Sequence, residues 1–431
     1  MKTFAITTLG CKVNTFESES YIESLQALGY KEVDFKESAD IYIINTCSVT
    51  NTAASKSRQK IHQAIRQNEN AMICVVGCYV QTNPQDLHEI ERIDLLVGAK
   101  GKNKLAQYID QGNSDVSISD QRDMTFESLP LKQYKHQTRA FLKIQDGCDQ
   151  FCSYCIIPYA RGNERWAQSS DLIDMAKSLV SSGHKEIVLS GIHIGRYGKG
   201  SDTDLAGLLR RLDSEVVGLL RIRLSSIEIT EITDDILNLM TTSEKIVRHL
   251  HIPLQSGCDA VLQRMNRPYT TDDFYRRLSE IRNNFPMISI STDVIVGFPM
   301  ESETEFEQTL SFVERCRFSF VHVFPYSMRV NTAAASMAGH VDAQIKKERT
   351  AYLIEKSNIL KARFDMQFVN KEVQVLFESY HKGYAIGHTP EYVTVRVVSD
   401  QPLNNQCHPV LITHHKSGLN YGVLAEKAVK S

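Results

Sequence analysis

A chain of 431 residues, at a prior of about 150 residues per domain, holds two to four domains with ample sequence to bury their cores. Its opening MKTFAITTLG is too short and polar for a secretory segment, and no run of about 18 apolar residues follows that would span a bilayer; a cytosolic location with no membrane partner is expected. Ten cysteines then point to reduced thiols and metal ligands rather than a disulfide framework, and a net charge of -2 excludes nucleic-acid binding by bulk basicity, leaving only local patches.

KTFAITTL reads as a strand, followed by a helix through YIESLQALGY with Asn14 as its cap, Glu17 three residues on, and Gly29 as its stop. IYIIN (41–45), MICVVG (72–77) and LLV (95–97) are short apolar runs rich in Ile, Val and Leu, the first two separated by the helical stretch AASKSRQKIHQAIRQ. This β-α-β alternation predicts a parallel sheet covered by helices, with the carboxyl ends of the strands along one edge. Cys11, Cys47 and Cys78 each fall one to three residues beyond a strand, so all three are expected to meet at that edge as a three-thiolate site. The alternative is three buried apolar thiols, the reading preferred for Cys74 within its strand.

Residues 112–138, including GNSDVSISDQRD, lack periodicity and read as a linker or surface excursion. AFLKIQ then leads into GCDQFCSYC, where Cys148, Cys152 and Cys155 form a C-x3-C-x2-C set. Three thiolates this close ask for a metal. Structural zinc wants four ligands, and no second pair follows at finger-like distance; a cubic iron-sulfur cluster on three cysteines keeps one iron open.

Strand candidates EIVLSG, LRIRLSSI, VRHLHI, ISTDVIVGF and FVHVFPYS alternate with helical ones such as DLIDMAKSLVSSG and TDDFYRRLSEIRNNF. About six β-α units predict a partial β/α barrel with reactive groups at the carboxyl ends of its strands. Cys148, Ser226, Glu228, Gln255 and Asp293 sit at or near such ends and are expected to face one cavity. After a long helical stretch, EVQVLFES, YVTVRVVS, PVLITH and NYGVLA predict a small all-β module. Residues 370–431 carry six Lys or Arg against five Asp or Glu, a weak charge signal, but five-stranded barrels of this size commonly bind single-stranded nucleic acid. The expected class is thus α/β, with boundaries at 1–125 for a parallel α/β domain, 135–369 for a partial β/α barrel and 370–431 for a small β-barrel.

The C-x3-C-x2-C spacing resembles the signature of the radical S-adenosylmethionine (SAM) superfamily. With TLGCKVN, NTCSVT, VVGCYVQ, GCDQFCSYCIIPYARGNER, HIPLQSGCDAVLQRMNRPYT, TDVIVGFPMESETEF and FPYS, nearly the whole chain resembles its methylthiotransferase family, and the closing module resembles a TRAM domain. One departure follows GNER, where relatives tend to have a short Ser/Arg run and this chain has Trp166, Ala167 and Gln168.

The resemblance implies two 4Fe-4S clusters. One, on Cys148, Cys152 and Cys155, binds and splits SAM; the other, on Cys11, Cys47 and Cys78, carries the sulfur. It also implies an electron donor such as flavodoxin or ferredoxin, and the anticodon stem-loop of tRNA as substrate. TLGCKVN is similar to the branch acting at C2 of N6-threonylcarbamoyladenosine; branches acting on isopentenyladenosine or on a ribosomal protein aspartate are alternatives. A different class, an iron-sulfur sensor or electron carrier with an RNA-binding tail, explains the cysteines but not the barrel. Tyr154 is a candidate to pack by the adenine of SAM or is a loop aromatic, and Glu228 is a ribose acceptor or a solvated carboxylate. Gln255 and Asp293 are further cofactor candidates. His193 is read as a hydrogen-bonded pocket residue, Cys258, Cys316 and Cys407 as structural, and Lys382, Arg396 and Lys416 as candidate RNA contacts.

Overall fold

The computed structural model describes residues 1–113, 118, 124–135, 137–201 and 203–425. Its first sheet is parallel, in the order β2-β1-β3-β4-β5, from β1 (Thr3–Thr8), β2 (Lys31–Glu32), β3 (Ile41–Thr46), β4 (Met72–Gly77) and β5 (Leu95–Val97). The central strands are buried on both faces. Ile43, Cys74 and Val76 join one core while Tyr42, Ile44, Ile73 and Val75 join another, the pattern of a sheet sandwiched between layers. Cys74 is the buried apolar thiol expected of it.

Helix α1 (Lys12–Ala27) starts two residues earlier than its expected cap. Cys11 occupies the cap position, and Asn14 lies inside the first turn, where its Nδ2 donates to Leu9 O at 2.7 Å and Thr46 O at 3.0 Å. Those two carbonyls lie at the ends of neighbouring strand-loop junctions, so Asn14 pins loops together instead of capping. Helices α2 (Asn51–Gln67) and α3 (Cys78–Thr82) follow β3 and β4.

Part of the expected linker, residues 114–117, 119–123 and 136, lies outside the described residues. The described stretch 124–135 is no free excursion, because Leu129, Leu131 and Tyr134 are buried in the main core and the Glu127 carboxylate accepts from the Gly101 and Lys102 amides at 2.6 and 2.9 Å.

β6 (Ala140–Lys143) opens the second body. A short antiparallel ribbon of β7 (Gln145–Asp146) and β8 (Arg165–Trp166) brackets the cysteine loop. β9 (Glu186–Ser190), β10 (Arg221–Leu224), β11 (His249–His251), β12 (Ser289–Val296) and β13 (Phe320–Pro325) continue it. The order β6-β9-β10-β11-β12-β13 is parallel throughout, with the bridges Ile222–Ile246 and Ser226–His251 joining its two halves: a six-stranded partial barrel. α1 packs on β6, so the first body covers one open edge, and the helix Ala343–Met366 covers β13.

The chain closes with β14 (Glu372–His381), β15 (Tyr384–His388), β16 (Thr394–Val398), β17 (Cys407–Lys416) and β18 (Leu419–Leu424), a closed barrel in the order β14-β15-β16-β18-β17. It is docked on the amino ends of the partial-barrel strands. Arg221, at the start of β10, donates to His388 O and Gln374 O, each at 2.8 Å, and Arg223 donates to Pro390 O at 3.0 Å. Among the described residues, no helix is long and apolar enough to cross a membrane.

Candidate active site

Cys148, Cys152 and Cys155 lie on the loop between β7 and the helix Ile157–Arg161. Gly147 opens it at φ +75°, with space for no side chain: a Cβ there would sit 1.9 Å from Asn163 O. The backbone is tied on several sides, Cys148 N to Gly162 O at 3.0 Å, Ser153 N to Met265 O at 3.0 Å and Cys155 N to Cys152 O at 2.9 Å. Cations stand against two of the sulfurs. Arg267 Nη1 donates to Cys152 Sγ at 3.3 Å and His193 Nδ1 lies 3.5 Å from Cys148 Sγ. His193 also meets Glu231 at 2.9 Å; burial opposes its protonation, but the thiol and carboxylate partners prevail and raise its pKa to about 10. Burial pushes Cys155 up to about 12, so loading a metal there displaces protons as thiolates form.

Three loops bring the remote triad together. Cys11 follows β1 and caps α1, Cys47 directly follows β3, and Cys78 opens α3 after β4. Gly10, at φ +108°, lies so close to Cys47 that a Cβ would stand 2.9 Å from its Sγ. Burial and then the neighbouring Cys78 push the Cys47 thiol up to about 11. Cys47 and Cys78 are buried while Cys11 is exposed, leaving one open side. A single zinc ion, with Zn–S near 2.3 Å, would draw tetrahedral sulfurs to roughly 3.8 Å of one another. Among the described residues, the only set of three ligand atoms found within 4.8 Å is His251, Asp293 and His322. Neither cysteine triad is therefore drawn together as tightly as a one-ion site.

Between the triads lies a buried ionic network. Arg161, from the helix after the cysteine loop, donates to Glu17 at 3.1 Å, Asp146 at 3.0 Å and Asn14 Oδ1 at 2.6 Å, and α3, bearing Cys78, packs on that helix. Lys102 and Lys143 also reach Glu17, at 3.0 and 3.1 Å, while Lys143 and Arg165 reach Asp146 at 2.7 and 3.1 Å. Burial alone would raise the Glu17 carboxyl, yet Lys102, Arg161 and Lys143 overcome it and hold the group far below the usual range. The Trp166 departure belongs to this scaffold, in β8 under the cysteine loop.

The cofactor candidates take separate positions. Tyr154 packs against the apolar cluster of Cys258, Val261, Met265, Phe298, Tyr326 and Ala334. Glu228 is engaged by Arg267, linking it to Cys152. Gln255, at φ +66°, bonds through its backbone to Asp293 O at 2.8 Å, and the Asp293 carboxylate meets His251 Nε2 at 3.1 Å. Ser226 bridges to His251. Cys258 and Cys316 are buried; Cys407 Sγ lies 3.9 Å from Arg221 Nη2.

A cavity of about 370 Å³ occupies the partial barrel, lined by Lys12, Arg139, Arg223, His249, His251, Ser289, Ser291, His322, Glu391 and Tyr392 among others. None of Cys148, Ser226, Glu228, Gln255 and Asp293 lines it, although Asp293 and Ser226 border it through His251. Of its cations, Arg139 faces Glu378 at 2.9 Å and Arg223 faces Glu186 at 2.6 Å, while Lys361 pairs with Asp365. Lys12 differs: no hydrogen bond or ion pair of its ammonium is found among the described residues. Crowding by surrounding protein, then Arg139 and Arg223, lower its pKa to about 8, although its side chain still reaches solvent. Burial likewise lowers His249 and His322. Lys12, Arg161, Arg267, His251 and His322 escaped the sequence reading even though each lies in or beside a quoted motif, because their roles need partners from distant strands.

On the outside of the closing barrel, Arg396 lies over the rings of Tyr384 and Tyr421, 4.9 and 5.9 Å from their centroids, and His414 stacks on Tyr421 at 4.9 Å. Lys382 and Lys416 stand exposed at strand ends nearby in sequence.

Residues 3–98 match the model of Uncharacterized protein family UPF0004 and residues 142–313 that of the Radical SAM superfamily. The Threonylcarbamoyladenosine tRNA methylthiotransferase MtaB of Bacillus subtilis is 44% identical over 92% of this chain and 90% of its own. The tRNA-2-methylthio-N(6)-dimethylallyladenosine synthase of Clostridium novyi is 36% identical over 89% and 87%. Among solved structures, the radical S-adenosylmethionine methyltransferase TsrM of Kitasatospora setae superposes with a TM-score of 0.56 at 14% identity, covering 77% of this chain and 76% of that one, a likeness of fold alone. With the three-body architecture, the cysteine loop at its barrel edge and relatives matched over nine-tenths of their length, the chain belongs to the tRNA methylthiotransferases of the radical SAM superfamily.

Proposed function

We propose that this enzyme installs a methylthio group at C2 of N6-threonylcarbamoyladenosine beside the anticodon of tRNA, forming 2-methylthio-N6-threonylcarbamoyladenosine. The observation that carries the choice of base is Lys12. Its ammonium lines a cavity that also holds histidines and serines, and no hydrogen bond or ion pair of it is found among the described residues, so it is free to meet a substituent ending in a carboxylate and a hydroxyl. An isopentenyl group would offer this ammonium no counter-charge.

Cys148, Cys152 and Cys155 are assigned to one 4Fe-4S cluster and Cys11, Cys47 and Cys78 to a second, each triad leaving one iron open. When bound, these clusters and SAM supply the radical that an unactivated aromatic C–H bond requires and the sulfur it receives. The chain's own groups hold and orient. Arg267 and His193 place positive charge against the first thiolate set, and Arg161 and Asn14 fix the second set relative to it. Arg396 with Tyr384 and Tyr421 offers a cationic stacking face of the sort that grips single-stranded RNA, with Lys382 and Lys416 as backbone contacts. We read the bodies as domains at 1–125, 135–369 and 370–431, working in the cytosol with tRNA and a flavodoxin- or ferredoxin-like donor. Mass spectrometry of tRNA nucleosides from cells with and without the gene tests the proposal: 2-methylthio-N6-threonylcarbamoyladenosine should vanish with the gene, and its persistence would refute the assignment.

A further inference from the structure

The closing barrel also lines the cavity. Its loop from β15 to β16 contributes Glu391, Tyr392, Val393 and Thr394 to the lining, which Lys12 shares. Tyr392 is part-exposed but held by several neighbours. Its ring stacks on His388 at 4.7 Å and lies 5.2 Å from His249, the guanidiniums of Arg139 and Arg223 stand 5.0 and 4.9 Å from its centroid, and Arg139 Nη1 donates to its hydroxyl at 3.0 Å. Its backbone has φ +67°, a left-handed conformation that a bulky residue keeps only where the surroundings impose it.

We propose that Tyr392 is the floor of the pocket for the N6 substituent, so that the terminal barrel helps select the modified base as well as grip the RNA. The inference rests on the substrate reading above and adds that selectivity crosses a domain boundary. Arg139 and Arg223, both drawn onto the Tyr392 ring, hold it in place, and Lys12 offers charge in the same cavity. A threonylcarbamoyl substituent entering this cavity would meet both the ammonium and the ring, whereas an unmodified adenosine would not.

The test measures binding by the anaerobically reconstituted full chain to two anticodon stem-loop RNAs, one carrying N6-threonylcarbamoyladenosine and one plain adenosine at the same position. The unaltered chain should prefer the modified RNA. Tyr392→Gly, which the left-handed backbone accepts, should lower that preference about tenfold while plain RNA binds as before, and Tyr392→Phe should keep most of it. Thermal melting of each variant reports the fold. An undiminished preference in Tyr392→Gly would overturn the floor role and leave the substrate reading standing, and equal weakening toward both RNAs would overturn it too, reducing Tyr392 to a docking residue. Absence of any preference in the unaltered chain would instead overturn the substrate reading, and this inference with it.

Discussion

The two cysteine triads are built in opposite ways. Cys148, Cys152 and Cys155 come from one loop, whose shape is set by Gly147 and a few backbone hydrogen bonds. Cys11, Cys47 and Cys78 come from three strand ends and exist as a set only because β1, β3 and β4 are in register and Asn14 ties two of the loops together. The local site leans on distant residues at a few points, Met265, Arg267 and His193 among them, whereas the remote one is hostage throughout to the packing beneath it. Arg161 joins them, since it follows the first site in sequence and bonds to Asn14 of the second.

Removing ligands breaks the comparison most severely. Replacing Cys148, Cys152 and Cys155 with Ala should abolish release of deoxyadenosine from SAM. The corresponding Cys11, Cys47 and Cys78 variant should retain that release but deliver no methylthio group, as chromatography of SAM products and of tRNA nucleosides would show.

Next in size is Arg161→Met. Stripping one cation from Glu17 and Asp146 leaves buried carboxylates undercompensated and should cost about 3–5 kcal/mol, read by denaturant unfolding of the metal-free chain. Iron retention should fall at the remote site more than at the local one. The same network predicts a pH dependence. Glu17 and Asp146 titrate below their ordinary values, so the stability they confer is complete above the unfolded carboxylate range near 4.5 and is lost as pH falls toward their folded values. Glu17→Gln should flatten the acid limb of stability against pH; an unchanged limb would show that other carboxyls govern it.

A smaller effect concerns substrate choice. Lys12→Met should lower kcat/KM for tRNA bearing N6-threonylcarbamoyladenosine by about 10- to 100-fold, the worth of a hydrogen bond to a charged group at roughly 1.5–3 kcal/mol, with iron content checked because Cys11 is adjacent. Smallest is Arg396→Ala, which should weaken tRNA binding alike across sequences and reduce the salt slope by about one. Deleting 370–431 is a poorer probe of RNA binding than its sequence implies. It would uncover Phe364 and Phe368, strip the partners of Arg221 and remove the Tyr392 loop from the cavity.

Legibility in the sequence followed the reach of the forces involved. The local triad shows in its spacing, and the remote triad shows because strand ends of a parallel sheet share an edge. Asn14 was misread as a cap because its partners, Leu9 O and Thr46 O, are revealed only once β1 and β3 pair. Strand β15 went unnamed because YAIGH is short and carries Gly387, where a Cβ would stand 2.2 Å from Leu376 O; the close approach of β14 explains the residue. The Arg161–Glu17 pair, 144 positions apart, leaves no local trace, nor does Tyr392, whose meaning lies in guanidiniums from another domain.

The most direct test is iron analysis with EPR on anaerobically reconstituted protein and on the two triple-cysteine variants. Two four-iron clusters should appear in the unaltered chain, and each variant should lose one signal and keep the other. A Cys11, Cys47 and Cys78 to Ala variant with an unchanged iron count would contradict the account.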